Sequence, residues 1–118
     1  MTDATLEQKR AQNTLALRVA MDRILDQLVS MPHVAKVILF GSYGAGRRDL
    51  FTDLDLLVVM DTEKDFLQRT VDLYRQIQTD VDVDLLVYTP KEFESQALSG
   101  FVRHALATGQ VLYEKKRP

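Results

Sequence analysis

Leu17, Met21, Ile24, Leu25 and Leu28 recur at helical spacing, with Arg18, Asp22, Arg23 and Asp26 between them, and this pattern predicts an amphipathic helix over residues 11–30 that covers a sheet. Pro32 stops helical continuation. The apolar run VAKVILF, residues 34–40, then reads as a largely buried strand ending at a Gly-Ser turn. After a polar loop through Arg47, Arg48 and Asp49, a second strand is expected over residues 53–60. Asp61 and Thr62 are expected to open another helix. Thr62 and Asp65 resemble a capping box, and Phe66, Thr70, Leu73, Tyr74 and Ile77 mark one face. A third strand follows over residues 81–88. Thr89, Pro90 and Glu92 supply an N-cap hydroxyl, a first-turn proline and a reciprocal carboxylate, so a helix must begin there. Gly100 interrupts that helical region, residues 101–108 form a further short helix closed by Gly109, and residues 110–113 pair as a last edge strand. Lys115, Lys116 and Arg117 read as a frayed tail.

Strands alternating with helices give an α+β fold class, a mixed sheet flanked by helices. At 118 residues, 46% hydrophobic and 27% charged, the chain fits one domain over residues 1–118. A net charge of −2 and a pI near 5.6 provide no broad basic surface, which argues against tight non-specific binding to nucleic acid. With no cysteine, thiolate metal sites and disulfides are excluded and hard oxygen ligands are the main metal-binding option. No segment resembles a signal peptide, and no apolar run approaches the roughly 20 residues of a membrane span, so a cytoplasmic protein away from membranes is expected.

The chemistry concentrates in GSYGAGRRDLFTDLD, residues 41–55. Gly41 and Ser42 offer backbone N–H groups and a hydroxyl to anionic oxygens, while Asp53 and Asp55, at alternate positions of a strand, point to one face and can share cations. Carboxylates and phosphates tolerate each other only with hard cations between them, so the segment reads as a site for Mg²⁺ carrying a nucleoside triphosphate. The third strand repeats the alternation: Asp82 and Asp84 in VDVDLLV echo Asp53 and Asp55 in TDLDLLV. If the two strands are neighbours, three or four carboxylates converge. Two unit charges about 4 Å apart repel by about 4 kcal/mol at an effective dielectric near 20, so such a cluster should hold a proton or bind metal. Two divalent ions roughly 3.5 to 4 Å apart can serve an in-line phosphoryl displacement, with three carboxylates as a sensible ligand set. Asp82 and Asp84 share a face and either could be the third ligand. Asp84 is preferred because Val83, Leu85 and Leu86 flank it as Leu54, Leu56 and Leu57 flank Asp55, which places it in the buried part of its strand.

Arg47 and Arg48 lie between the turn and the acidic strand, where either could reach a triphosphate, although exposed loop arginines are more often simply solvated. Tyr43, beside Ser42, could stack on a base, but partial cover for the core suits a turn tyrosine better. His33 and His104 have no partners at metal-ligand spacing, and packing or surface roles suit them better.

Gly41, Ser42, Asp53 and Asp55, with ten residues between the Gly-Ser and the Asp-x-Asp, resemble the signature of the polymerase-beta-like nucleotidyltransferase superfamily in its minimal bacterial and archaeal form. VDLLVYTPKEFE resembles the family's third-carboxylate strand and the helix after it, mapping that carboxylate onto Asp84, and FVRHALATGQVLYE resembles its closing helix and strand. The likeness covers about residues 34–114. It implies the nucleotidyltransferase fold and a two-Mg²⁺ site on Asp53, Asp55 and Asp84. It also implies a triphosphate held at the Gly-Ser turn, and transfer of a nucleoside monophosphate, AMP from ATP, with release of pyrophosphate.

Members that modify antibiotics or polymerise nucleic acid carry an added acceptor domain, which this sequence does not supply. A separate protein is therefore expected to present the acceptor. Minimal members of this kind are often paired with a HEPN-domain protein, in several cases as antitoxins that add AMP to a tyrosine of a toxic ribonuclease. Two other readings compete: a binding module that neutralises a partner by occlusion, and a transferase acting on a small aminoglycoside-like alcohol, for which a homo-oligomer could supply the missing acceptor wall.

Overall fold

The computed structural model describes residues 2–41, 54–79, 81–96 and 100–116. In chain order the elements are α1 (Thr2–Val29), β1 (Val34–Phe40), β2 (Leu54–Met60), α2 (Phe66–Gln76), β3 (Val83–Tyr88), α3 (Pro90–Gln96), α4 (Gly100–Thr108) and β4 (Gln110–Glu114). The strands form one mixed sheet in the order β3-β2-β1-β4, antiparallel at β1/β2 and β1/β4 and parallel at β2/β3. The expected α+β architecture is present.

Alternation along the central strands divides the core between the two faces of the sheet. On the first face Val37, Leu39, Leu54, Leu56, Val58, Leu85 and Val87 pack with Leu17, Ile24 and Leu28 of α1 and with Leu73 of α2 and Ile77 just after it. On the second face Ile38, Leu57 and Val59 pack with Phe40, Leu86, Tyr88 and Phe93 of α3. Asp55 and Asp84 alternate with Leu57 and Leu86, so both carboxylates belong to this second face.

Several boundaries differ from the sequence reading. Helix α1 begins at Thr2, ahead of the first helically spaced apolar residue, because Ala4, Leu6, Glu7, Gln8, Lys9, Arg10 and Ala11 are strong helix formers that need no apolar stripe. Helix α2 starts at Phe66 with Asp65 as its N-cap, its carboxylate accepting from Gln68 N–H at 2.8 Å. Thr62 instead accepts from Lys64 N–H in a local turn. Phe66 and Tyr74 are exposed, and Arg69 takes a buried place on α2 beside Leu73.

The capping box of α3 is present in full: Glu92 N–H donates to Thr89 Oγ1 at 3.2 Å and Thr89 N–H donates to Glu92 Oε1 at 2.9 Å. Gly109 N–H closes α4 on Ala105 O at 2.8 Å, and β4 pairs along β1 as the expected edge strand. Lys115 is anchored rather than frayed, its N–H donating to Ala35 O at 2.8 Å and its Nζ to Pro32 O at 2.7 Å. Among the described residues no helix is long and apolar enough to cross a membrane.

Candidate active site

The parallel pairing of β2 with β3 sets Asp55 opposite Asp84 as Cα partners, and the antiparallel pairing of β1 with β2 sets Phe40 opposite Asp55. Neighbouring strands run roughly 4.8 Å apart, so the two carboxylates rise side by side from the second face. Asp55 is half-buried and Asp84 is exposed. The exposure of Asp84 corrects the expectation of a buried position. It stands second in an edge strand, where its side of the sheet is open, and the buried residues of β3 are Leu85 and Val87.

Asp82 lies one residue before β3 and is also exposed; its carbonyl accepts from Leu54 N–H at 3.3 Å, which ties the entrances of the two strands together. Tyr74 of α2 reaches the outer edge of β3, where its hydroxyl oxygen accepts from Leu85 N–H at 2.7 Å. The amide next to Asp84 is thereby fixed on the side where no further strand pairs.

Gly41 follows β1 with φ at 71°, in the left-handed region that glycine adopts without penalty. A Cβ at this position would stand 2.9 Å from Asp55 Cγ and nearer still to its Oδ2. The missing side chain lets the Gly41 backbone lie directly on the carboxylate. Of the remaining residues singled out from sequence, Ser42, Tyr43, Arg47, Arg48 and Asp53 lie outside the described residues. Among those described, no three His, Cys, Asp or Glu side chains gather at metal-binding distance.

A different cluster lies at the other end of β3. Arg69 is the one charged side chain buried among the described residues, with its Nη2 donating to Glu92 Oε2 at 2.9 Å and its guanidinium 5.5 Å from the Phe66 ring. The Arg69 hydrogen bond and the Thr89 N–H hold the Glu92 carboxyl below its ordinary range, against a smaller opposing effect of burial. Burial, and then the charge of Glu92, push the Tyr88 hydroxyl upward. This cluster joins α2 to α3 at the far end of β3 from Asp84. Sequence reasoning missed Arg69 because an arginine within a helical face is ordinarily solvated. The Tyr74 contact was missed because its spacing matched the apolar face.

A polymerase beta nucleotidyltransferase family model matches residues 22–118, a span that includes every strand and both acidic positions. The chain belongs to this family. It is therefore a nucleotidyltransferase, and Asp55 and Asp84 stand on neighbouring strands of a nucleotidyltransferase domain. A protein of Methanocaldococcus jannaschii, named as a candidate protein adenylyltransferase, is 32% identical over 82 residues, covering 68% of this chain and 79% of its own.

Among solved structures of the same fold, a candidate nucleotidyltransferase of Sulfolobus solfataricus superimposes with a TM-score of 0.61 at 20% identity, covering 91% of this chain and 88% of the other. A mutant of the toxin–antitoxin pair MntA–HpeT superimposes with a TM-score of 0.57 at 23% identity, covering 81% and 73%.

Proposed function

We propose that this nucleotidyltransferase transfers AMP from ATP to a protein hydroxyl, a tyrosine of a HEPN-type toxin, and so acts as an antitoxin. The observation that supports catalysis most directly is the in-register pair of Asp55 and Asp84 beside the left-handed Gly41. Two carboxylates on adjacent strands repel, and a module that worked by occlusion alone would gain nothing from that repulsion. The name of the archaeal relative supports a protein acceptor.

The donor set suits Mg²⁺: carboxylate oxygens are hard ligands, Asp55 and Asp84 are brought to one face, and the chain has no thiol to favour a softer metal. Asp53, Asp55 and Asp84 would hold two ions. Bound there, Mg²⁺ would supply the charge that makes a hydroxyl more acidic and compensates the pyrophosphate oxygens.

The remaining roles fall to the chain itself. Gly41 and Ser42 present N–H groups and a hydroxyl to the outer phosphates, and Arg47 and Arg48 add positive charge to the same end of the triphosphate. Asp55 and Asp84 keep the reacting end over the second face, where the acceptor oxygen bonds to the α-phosphorus as the bond to the pyrophosphate oxygen breaks and the hydroxyl proton leaves to solvent. Positioning and charge compensation account for most of the acceleration in such a reaction.

The test is co-expression with a HEPN-type protein encoded beside this chain, followed by intact-mass and peptide mass spectrometry of that partner. The expected result is one added AMP unit on a tyrosine with the wild-type chain and none with Asp55→Asn. Full neutralisation of the partner by Asp55→Asn, with its mass unchanged, would establish occlusion instead.

A further inference from the structure

Phe101, the second residue of α4, is 53% exposed although its neighbours in the same helix are deeply anchored, Val102 at 0% and Ala105 at 2%. Its ring meets Phe40 edge to face, with centroids 5.7 Å apart and planes at 86°. Phe40 is the residue directly opposite Asp55 and the one before Gly41. Cross-strand partners carry their side chains on the same face about 4.5–5.5 Å apart at Cβ. Asp55, Phe40 and Phe101 therefore form a continuous row leading away from the acidic pair.

The far end of α4 is also held firmly. Gly109 lies so close to β1 that a Cβ there would fall well inside contact distance of the Leu39 carbonyl. The exposed ring thus sits on a helix fixed at both ends, next to the site.

We infer that Phe101 is the nucleobase subsite, a stacking platform for the base of the nucleoside triphosphate whose phosphates lie at Gly41 and Asp55. The inference rests on the proposed nucleotide site. A base is one sugar removed from its α-phosphate, and the row from Asp55 across Phe40 leads to one open aromatic surface. Beside its edge-to-face contact with Phe40 the residue keeps 53% of its surface exposed, and stacking on an aromatic face needs no hydrogen-bond readout, so the subsite selects for an aromatic base as a class.

The chain contains no tryptophan, so Phe101→Trp introduces a single fluorescent reporter at the subsite. With Mg²⁺ present, ATP is expected to quench this reporter, whereas inorganic tripolyphosphate is expected to raise the melting temperature without quenching it. Phe101→Leu keeps an apolar side chain against Phe40 and removes the π-face. It should weaken ATP binding about tenfold while leaving tripolyphosphate binding unchanged. Equal ATP affinity in wild type and Phe101→Leu, with no quenching in Phe101→Trp, would overturn the subsite while leaving the nucleotide site standing. Failure of both ATP and tripolyphosphate to bind the wild-type chain would overturn the nucleotide site and the subsite together.

Discussion

Gly41 and Asp55 are packed so closely that the glycine backbone occupies the space a side chain would need, its absent Cβ falling 2.9 Å from Asp55 Cγ. Gly41→Ala therefore introduces two faults at once. The left-handed conformation costs an L-residue about 1–2 kcal/mol, and the methyl group must displace the carboxylate. We expect a loss of at least that size in urea unfolding, together with loss of the stabilisation that Mg²⁺ and ATP give the wild type. Unchanged nucleotide response in a correctly folded Gly41→Ala variant would refute the packing argument.

That response is itself a prediction. Mg²⁺ with ATP should stabilise the folded chain by about 2.7 kcal/mol at a hundred times the dissociation constant. Asp55→Asn and Asp84→Asn should each erase most of this gain in a thermal scan. Each should also lower transferase activity by more than the roughly 10–100-fold typical of residues that only orient a metal ligand. Equal thermal shifts in wild type and variants would remove both residues from the metal site.

Tyr74 holds the outer edge of β3 beside Asp84 through Leu85 N–H. Tyr74→Phe keeps the ring and removes the acceptor, which should cost about 1 kcal/mol of stability. Hydrogen exchange should locate the effect, with faster exchange at the Leu85 amide than at Val58 in the centre of the sheet. Weaker Mg²⁺–ATP affinity is expected to accompany it.

The ion pair of Arg69 with Glu92 predicts a pH dependence. The folded carboxyl lies below its ordinary value of 4.5, so the unfolded chain takes up a proton first as the solution is acidified. The pair's contribution is fully present above that value and disappears as pH falls through the lower folded one. Glu92→Gln should flatten this part of the acid limb in urea midpoints measured against pH. It should also lower stability at neutral pH, because Arg69 is left buried without its counter-charge. Asp72, lowered first by its hydrogen bond from Lys64 and next by that from Gln68, titrates in the same window in both proteins and cancels in the difference.

Much of the fold was legible because period and punctuation agreed. The run from Val34 to Phe40 and the Thr89-to-Glu92 cap each specify one local structure, and both are present. What was not legible depended on partners distant in sequence. The buried Arg69 requires Glu92, 23 residues away, and Tyr74 finds its partner across a strand edge that periodicity does not reveal. Asp84 looked buried because its flanking residues matched those of Asp55. Its exposure follows from the position of β3 at the margin of the sheet, a property of strand order and not of local sequence. Of the candidate site, the pairing of Asp55 with Asp84 and the conformation of Gly41 are visible; Ser42, Arg47, Arg48 and Asp53 lie outside the described residues.

The crossover through α2 that joins β2 to β3 has a consequence for biosynthesis. During translation, β1 and β2 can pair as a hairpin while Asp84 is still inside the ribosome, and the acidic partnership is completed only when β3 joins the open margin of β2. A nascent or proteolytically shortened chain lacking β3 has half of this carboxylate pair, so nucleotide binding that depends on both carboxylates is expected only once that strand has been made.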